Sequence, residues 1–178
     1  MRRATALACA LWAAAAHAQA PGPKSDWERA QEAREFREAP VTLPPFYREE
    51  DLIEFSVGPA VAFRFYIDRA SLSVGEDGVV RYTLVARSPH GAENVSYEGI
   101  RCRTGTHRVY ALGQRDRSWR PVERDWQPTD RVWTRVLRRD YFCPMQRTIF
   151  SAAEGLEALR RGGHPERENW GAGGAGAR

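Results

Sequence analysis

Lysine is nearly absent from this chain: Lys24 is the only one, and every other fixed positive side chain is arginine. The formal net charge is +4, and loss of a leader carrying Arg2 and Arg3 would halve it. A balance so close to neutral offers a polyanion little purchase, so nucleic acid is not an expected partner. Cysteine is scarce as well, with 3 among 178 residues. None stands in a CxxC pair or beside a histidine, which removes the common redox and thiol-nucleophile signatures. His90, His107 and His164 lack HxxxH or HxxE spacing and read as surface or turn residues, so no metal site is expected. There is no GxSxG, and GEDG and GAGGAG lack the strand and helix that a phosphate loop needs. No cofactor is expected.

Only one long apolar run exists, at the N-terminus. Residues 4–16 carry no charge, follow Arg2-Arg3, and lead into Ala16-His17-Ala18, a small-x-small cleavage pattern. Residues 1–18 therefore read as a secretory signal and imply a periplasmic location. The run is shorter than the about 20 residues that cross a bilayer, and no second one follows, so no transmembrane segment is expected. Cys9 would leave with the signal. Cys102 and Cys143 remain, and two cysteines left in an oxidising compartment usually pair. Closing a loop of roughly 40 residues contributes about 4 kcal/mol in the chain-entropy model.

Residues 19–42 form a leader. Within it, residues 25–38 suit a surface helix, since Trp27, Ala30, Ala33 and Phe36 recur every third position among charges. Pro40 ends it, and Pro44-Pro45 keep the next stretch extended. One domain is expected over residues 43–162, followed by a disordered tail over 163–178.

What the chain does have is a run dense in β-branched and aromatic residues, 63–112, cut at short intervals by turn signals. Strands are expected at residues 52–57, 61–68, 71–74 and 79–87, with Asp77-Gly78 supplying a tight turn. Residues 94–103 hold a parity break: Val95 and Tyr97 point one way, Ile100 and Cys102 the other. Gly99 stands at that switch and suggests a β-bulge. A further strand returns at 107–113. Residues 129–142 then place Val132, Trp133, Val136, Leu137 and Tyr141 on one helical face. Ser151 and Glu154 have capping-box spacing at the start of a last helix ending near Arg161. The architecture read from this order is α+β: an antiparallel, meander-like sheet, two C-terminal helices packed on it, and a Cys102–Cys143 disulfide.

Two clusters could carry function. Tyr97, Glu98 and Arg101 would share a solvent face. The connection after residue 113 sets Trp119, Arg120 and Trp126 among further arginines, a combination that can stack on sugars or bind anionic glycans. Its structural alternative has the tryptophans covering the sheet edge and the arginines paired with Asp116, Glu123 and Asp125. A carboxylate pair of the glycosidase type, Asp68 with Glu98, would need neighbouring strands.

LPPFYREEDLIEF, the segment FRFYIDRASLSVGEDGVVRYTLVARSPHGAENVSYEGIRC, RDYFCP and EGLEALRRGGH resemble the CNP-one-like family. These are exported beta-proteobacterial proteins of uncharacterised function. The resemblance spans residues 43–164 and implies a single domain in the cell envelope. It carries over no catalytic residue, cofactor or substrate. The leading expectation is a non-enzymatic module that binds an envelope protein or a cell-wall glycan. The rival is a small periplasmic hydrolase using Asp68 and Glu98.

Overall fold

Residues 79–86 are buried without exception, although their alternation of polar and apolar side chains suggests one wet face. The reason is that the sheet is covered on both sides. The computed structural model describes residues 36–167, and all of these but Phe36 belong to one compact unit, Arg37–Arg178. The expected export signal and residues 25–35 of the expected N-terminal helix lie outside the described residues. Residues 36–38, which would have closed that helix, are irregular.

The strands are β1 (Leu52–Phe55), β2 (Arg64–Val74), β3 (Val79–Arg87), β4 (Glu93–Arg101), β5 (Thr106–Gly113), β6 (Trp119–Pro121) and β7 (Gln127–Pro128). They form one antiparallel sheet in the order β1-β2-β3-β4-β5-β6, a meander in which β7 also pairs with β5. The separate strands expected at 61–68 and 71–74 are one strand, β2, with a register shift between Asp68 and Ser73. β6 and β7 pair with opposite ends of β5, so the Arg/Trp connection blunts what would be an open edge.

One face carries the helices. α1 (Val132–Val136) runs directly into a π-helical segment, Leu137–Phe142, and α2 (Ala152–Arg160) follows after a turn. Val136, Leu137, Tyr141 and Phe142 pack onto Phe65, Ile67, Tyr82 and Ile100. Ser151 caps α2 as its spacing predicts, accepting the Glu154 N–H at 3.3 Å. The Glu154 carboxylate turns back to the Phe150 N–H at 2.6 Å. Cys102 and Cys143 are bonded, with their Cα atoms 5.3 Å apart, tying the end of β4 to the end of the π-helical segment.

The opposite face is covered by a strap, residues 37–47, which sequence periodicity does not announce. Phe46 and Tyr47 pack with Tyr66, Val85 and Val95, while Val41 and Leu43 pack with Tyr97 and Tyr110. β4 pairs with β3 without interruption. Val95 and Tyr97 therefore face the strap, and Ile100 and Cys102 the helices, by ordinary alternation. The register shift near Gly99 is real, but its extra residue is Tyr110 on β5, between the pairs Tyr97–Ala111 and Glu98–Val109. Gly99 serves close packing instead: a Cβ there would sit 2.7 Å from Tyr110 Oη and 2.9 Å from Val79 Cγ1.

The expected disordered tail does not begin at residue 163. Gly163 N–H donates to Ala158 O at 2.8 Å, His164 N–H to Asp140 O at 2.6 Å, and the His164 ring is buried. His164 Nδ1 accepts the Glu166 N–H at 3.0 Å, so Nε2 holds the proton and donates to Glu154 at 2.9 Å. His107 is buried too, with Nδ1 3.1 Å from Pro128 O. Of the three, only His90 is exposed as expected. No helix among the described residues is long and apolar enough to cross a membrane.

Candidate functional site

The helices cover the β1–β3 side of their face and leave the far part of β4 and β5 open. A cavity of about 600 Å³ fills that gap, within the usual size range of small-ligand sites. Its floor is sheet: Leu84 and Ala86 of β3, Ser96 and Glu98 of β4, Val109 and Leu112 of β5. An aromatic ladder forms one wall. Phe63 lies at 6.3 Å from Phe65, and Phe65 stacks on Trp133 of α1 at 5.5 Å and 25°. The Arg131 guanidinium sits over Trp133 at 5.3 Å, and Arg120 and Arg124 join it on the lining.

Among the described residues, Glu98 is the only acid on this floor. It is buried, accepting the Ser96 hydroxyl at 2.7 Å and the Tyr82 hydroxyl at 3.3 Å. Burial pushes its carboxyl above the ordinary range; those hydrogen bonds and the charges of His107 and Arg131 offset the shift only in part. The second acid on the lining, Glu93, is already held by Arg87 at 2.8 Å and by the Tyr47 hydroxyl at 2.6 Å. Arg120 and Arg124 have no carboxylate partner among the described residues. The cavity thus joins an apolar wall to a positive rim.

The sign of the Glu98 shift has a consequence for stability. A carboxyl whose pKa is higher in the fold than in the unfolded chain favours the fold below the unfolded value. That contribution is lost as pH rises through the folded value. Glu98→Gln keeps one acceptor oxygen, for either the Ser96 or the Tyr82 hydroxyl, offers its amide N–H to the other, and cannot ionise. Thermal unfolding at a series of pH values is expected to show the variant gaining on wild type as pH rises above the carboxylate range. A constant difference from pH 4 to 8 would contradict this.

Two of the residues marked from the sequence meet at the cavity, Glu98 and Arg120. The others lie across the sheet. Tyr97 is buried under the strap at 5.7 Å from Tyr110 and 6.3 Å from Trp119, so no solvent face joins it to Glu98 and Arg101. Trp119 donates its indole N–H to Pro44 O at 2.8 Å and packs on Phe46 at 5.1 Å. Arg101 stacks over Trp126 at 5.4 Å, and Trp126 meets Tyr110 edge-on at 6.4 Å. The tryptophans thus cover the sheet, while Asp116 bonds Ser118 rather than an arginine.

Asp68 and Glu98 do not form a pair. Asp68 is opposite Thr83, which is opposite Tyr97, whereas Glu98 is opposite Tyr82. The two carboxyls therefore project from opposite faces, with the sheet between them. Asp68 is itself buried, accepts the Ala70 N–H at 3.2 Å, and is pushed up by desolvation.

A model of the CNP1-like family matches residues 31–160, a span that takes in the sheet, the strap, the cavity and both helices. The chain belongs to the CNP1-like family. No curated protein and no solved structure matches it. Among the described residues of this CNP1-like chain, no group of three or more His, Cys, Asp or Glu could hold a metal ion. The residues that sequence reasoning passed over as site groups are Phe63, Phe65, Trp133 and Arg131. Phe65 and Trp133 read as core because their apolar periodicity is that of core. Only the gap between α1 and β5 turns them into a wall.

Proposed function

We propose that this CNP1-like protein is a non-enzymatic binding module of the cell envelope, and that its ligand seats in the cavity between α1 and β4–β5. The observation that carries this reading is the cavity itself: concave, with an aromatic wall and convergent polar and charged groups. The envelope location rests on the charged, apolar and small-residue order of residues 1–18 and on a disulfide suited to an oxidising compartment. A hydrolase of the carboxylate-pair type finds no support, since Asp68 and Glu98 open onto different faces.

The strap side is a poorer candidate for a docking face, because Tyr97, Trp119 and Trp126 already pack on other side chains there. Native mass spectrometry of the protein after incubation with envelope extract is expected to show a small-molecule adduct. Asn94→Trp, at the exposed rim, or Leu112→Trp, on the floor, should remove that adduct while leaving the thermal transition in place. Absence of any adduct, or an adduct indifferent to both variants, would overturn the reading.

A further inference from the structure

The cavity combines an aromatic wall, a floor that mixes apolar side chains with Ser96 and Glu98, and three arginines on its lining, and that combination selects a class of ligand. Along the wall and floor run Phe63, Phe65, Trp133, Leu84, Val109 and Leu112, with Phe63 still 39% exposed at the mouth. A sugar laid along Phe63, Phe65, Leu84, Val109 and Leu112 would leave hydroxyls facing carbon, each unpaired polar group weakening binding. An alkyl chain loses nothing and gains about fourfold in affinity per buried methylene. Arg120, Arg124 and Arg131 also line the cavity, from β6, from the connection after it, and from just before α1, where the Arg131 guanidinium lies over Trp133. Neither Arg120 nor Arg124 is neutralised by a carboxylate among the described residues. Glu93 is engaged by Arg87 and Tyr47, and Glu98 is buried and accepts the Ser96 and Tyr82 hydroxyls.

We propose that the ligand is an anionic amphiphile: a single acyl chain lying on the Phe63–Phe65–Trp133 wall, with its carboxylate against Arg120, Arg124 and Arg131. This rests on the cavity being the ligand site and commits that site to a fatty-acid chemistry instead of a glycan. The head group meets charge-assisted donors whose planar forks match a carboxylate. The chain replaces water on apolar surface.

The test is a binding titration of the folded, disulfide-bonded protein with three probes: hexadecanoate, its methyl ester, and a disaccharide-peptide fragment of cell wall. Hexadecanoate is expected to bind at least about tenfold more tightly than the ester, since only the acid can take charged hydrogen bonds. Arg120→Gln combined with Arg124→Gln, both at exposed positions, should reduce that preference severalfold, with Arg131 retaining the remainder, and should leave ester binding unaltered. Equal affinity for acid and ester would overturn the carboxylate assignment. Binding of the wall fragment with no binding of either lipid would overturn the amphiphile and leave the cavity as a ligand site. If none of the probes binds and envelope extract yields no adduct, the binding-module reading falls with it.

Discussion

Exchange of Asp77 for alanine is expected to destabilise the protein by about 3–5 kcal/mol, the range for removing one partner of a buried ion pair. Asp77 sits in the β2–β3 turn, where Gly78 takes φ +72°. Its carboxylate is shared among four donors. Oδ1 accepts Arg81 Nη1 at 3.0 Å and the Val79 N–H at 3.2 Å, while Oδ2 accepts Arg81 Nη2 at 2.5 Å and the Ala39 N–H at 2.8 Å. The side chains of Asp77 and Arg81 are 2% and 7% exposed. Without Asp77, the Arg81 guanidinium stays buried, with Glu38 at 3.7 Å as its remaining carboxylate. The strap also loses its Ala39 anchor. Its other ties here are Glu38 to Arg108 at 2.7 Å and the Tyr110 hydroxyl to Glu38 at 2.6 Å.

A second substitution separates these contributions. Asp77→Ala with Arg81→Met removes both charges, and apolar replacement of a whole buried pair is often close to neutral. The double variant is therefore expected to recover most of the loss in urea unfolding, and a double variant worse than Asp77→Ala would refute the ion-pair account. Acid should act in the same direction as the single substitution. Burial alone would raise the Asp77 carboxyl, but Arg81 and the N–H groups of Ala39 and Val79 outweigh it and hold the group below its usual range. The stability it contributes is present above the ordinary aspartate pKa and is lost as pH falls through the lowered value.

How much of this was legible from the residues differs from place to place. The hairpin at Asp77-Gly78 could be read, because φ > 0 turns have a local signature. The clasp made by the same aspartate could not, since Ala39 N–H belongs to a segment with no period to reveal where it lies. The parity of β4 was read correctly and interpreted wrongly. A switch of apolar face implies a bulge only if one face is wet, and the strap makes both faces dry. Glu98 was visible as an acid on a strand and Arg120 as part of an Arg/Trp run. Their meeting depends on how far α1 extends over β5, a tertiary distance with no sequence correlate. The six-stranded meander, by contrast, follows from short strands and tight turns that are all local.

The disulfide was the most legible long-range contact, and its removal has the second large expected effect. Cys102→Ala with Cys143→Ala should cost about 4 kcal/mol, because the unfolded chain regains the freedom of a loop closed at a separation of 41 residues. Both positions are buried, at 1% and 4% exposure, so alanine leaves less strain than an unsatisfied hydroxyl would. The bridge encloses β5, the Arg/Trp connection, α1 and the π-helical segment. Every arginine of the cavity rim and Trp133 of its wall lie within that loop. Loss of the bridge is therefore expected to loosen the helix layer on β4 and weaken ligand binding at temperatures where the fold still persists. Urea unfolding of the oxidised protein and the double variant measures the first effect. Ligand titration well below the transition measures the second. A shift under about 1 kcal/mol would mean that the helix layer is held by its contacts with Phe65, Ile67 and Tyr82 alone, with the covalent tie contributing little.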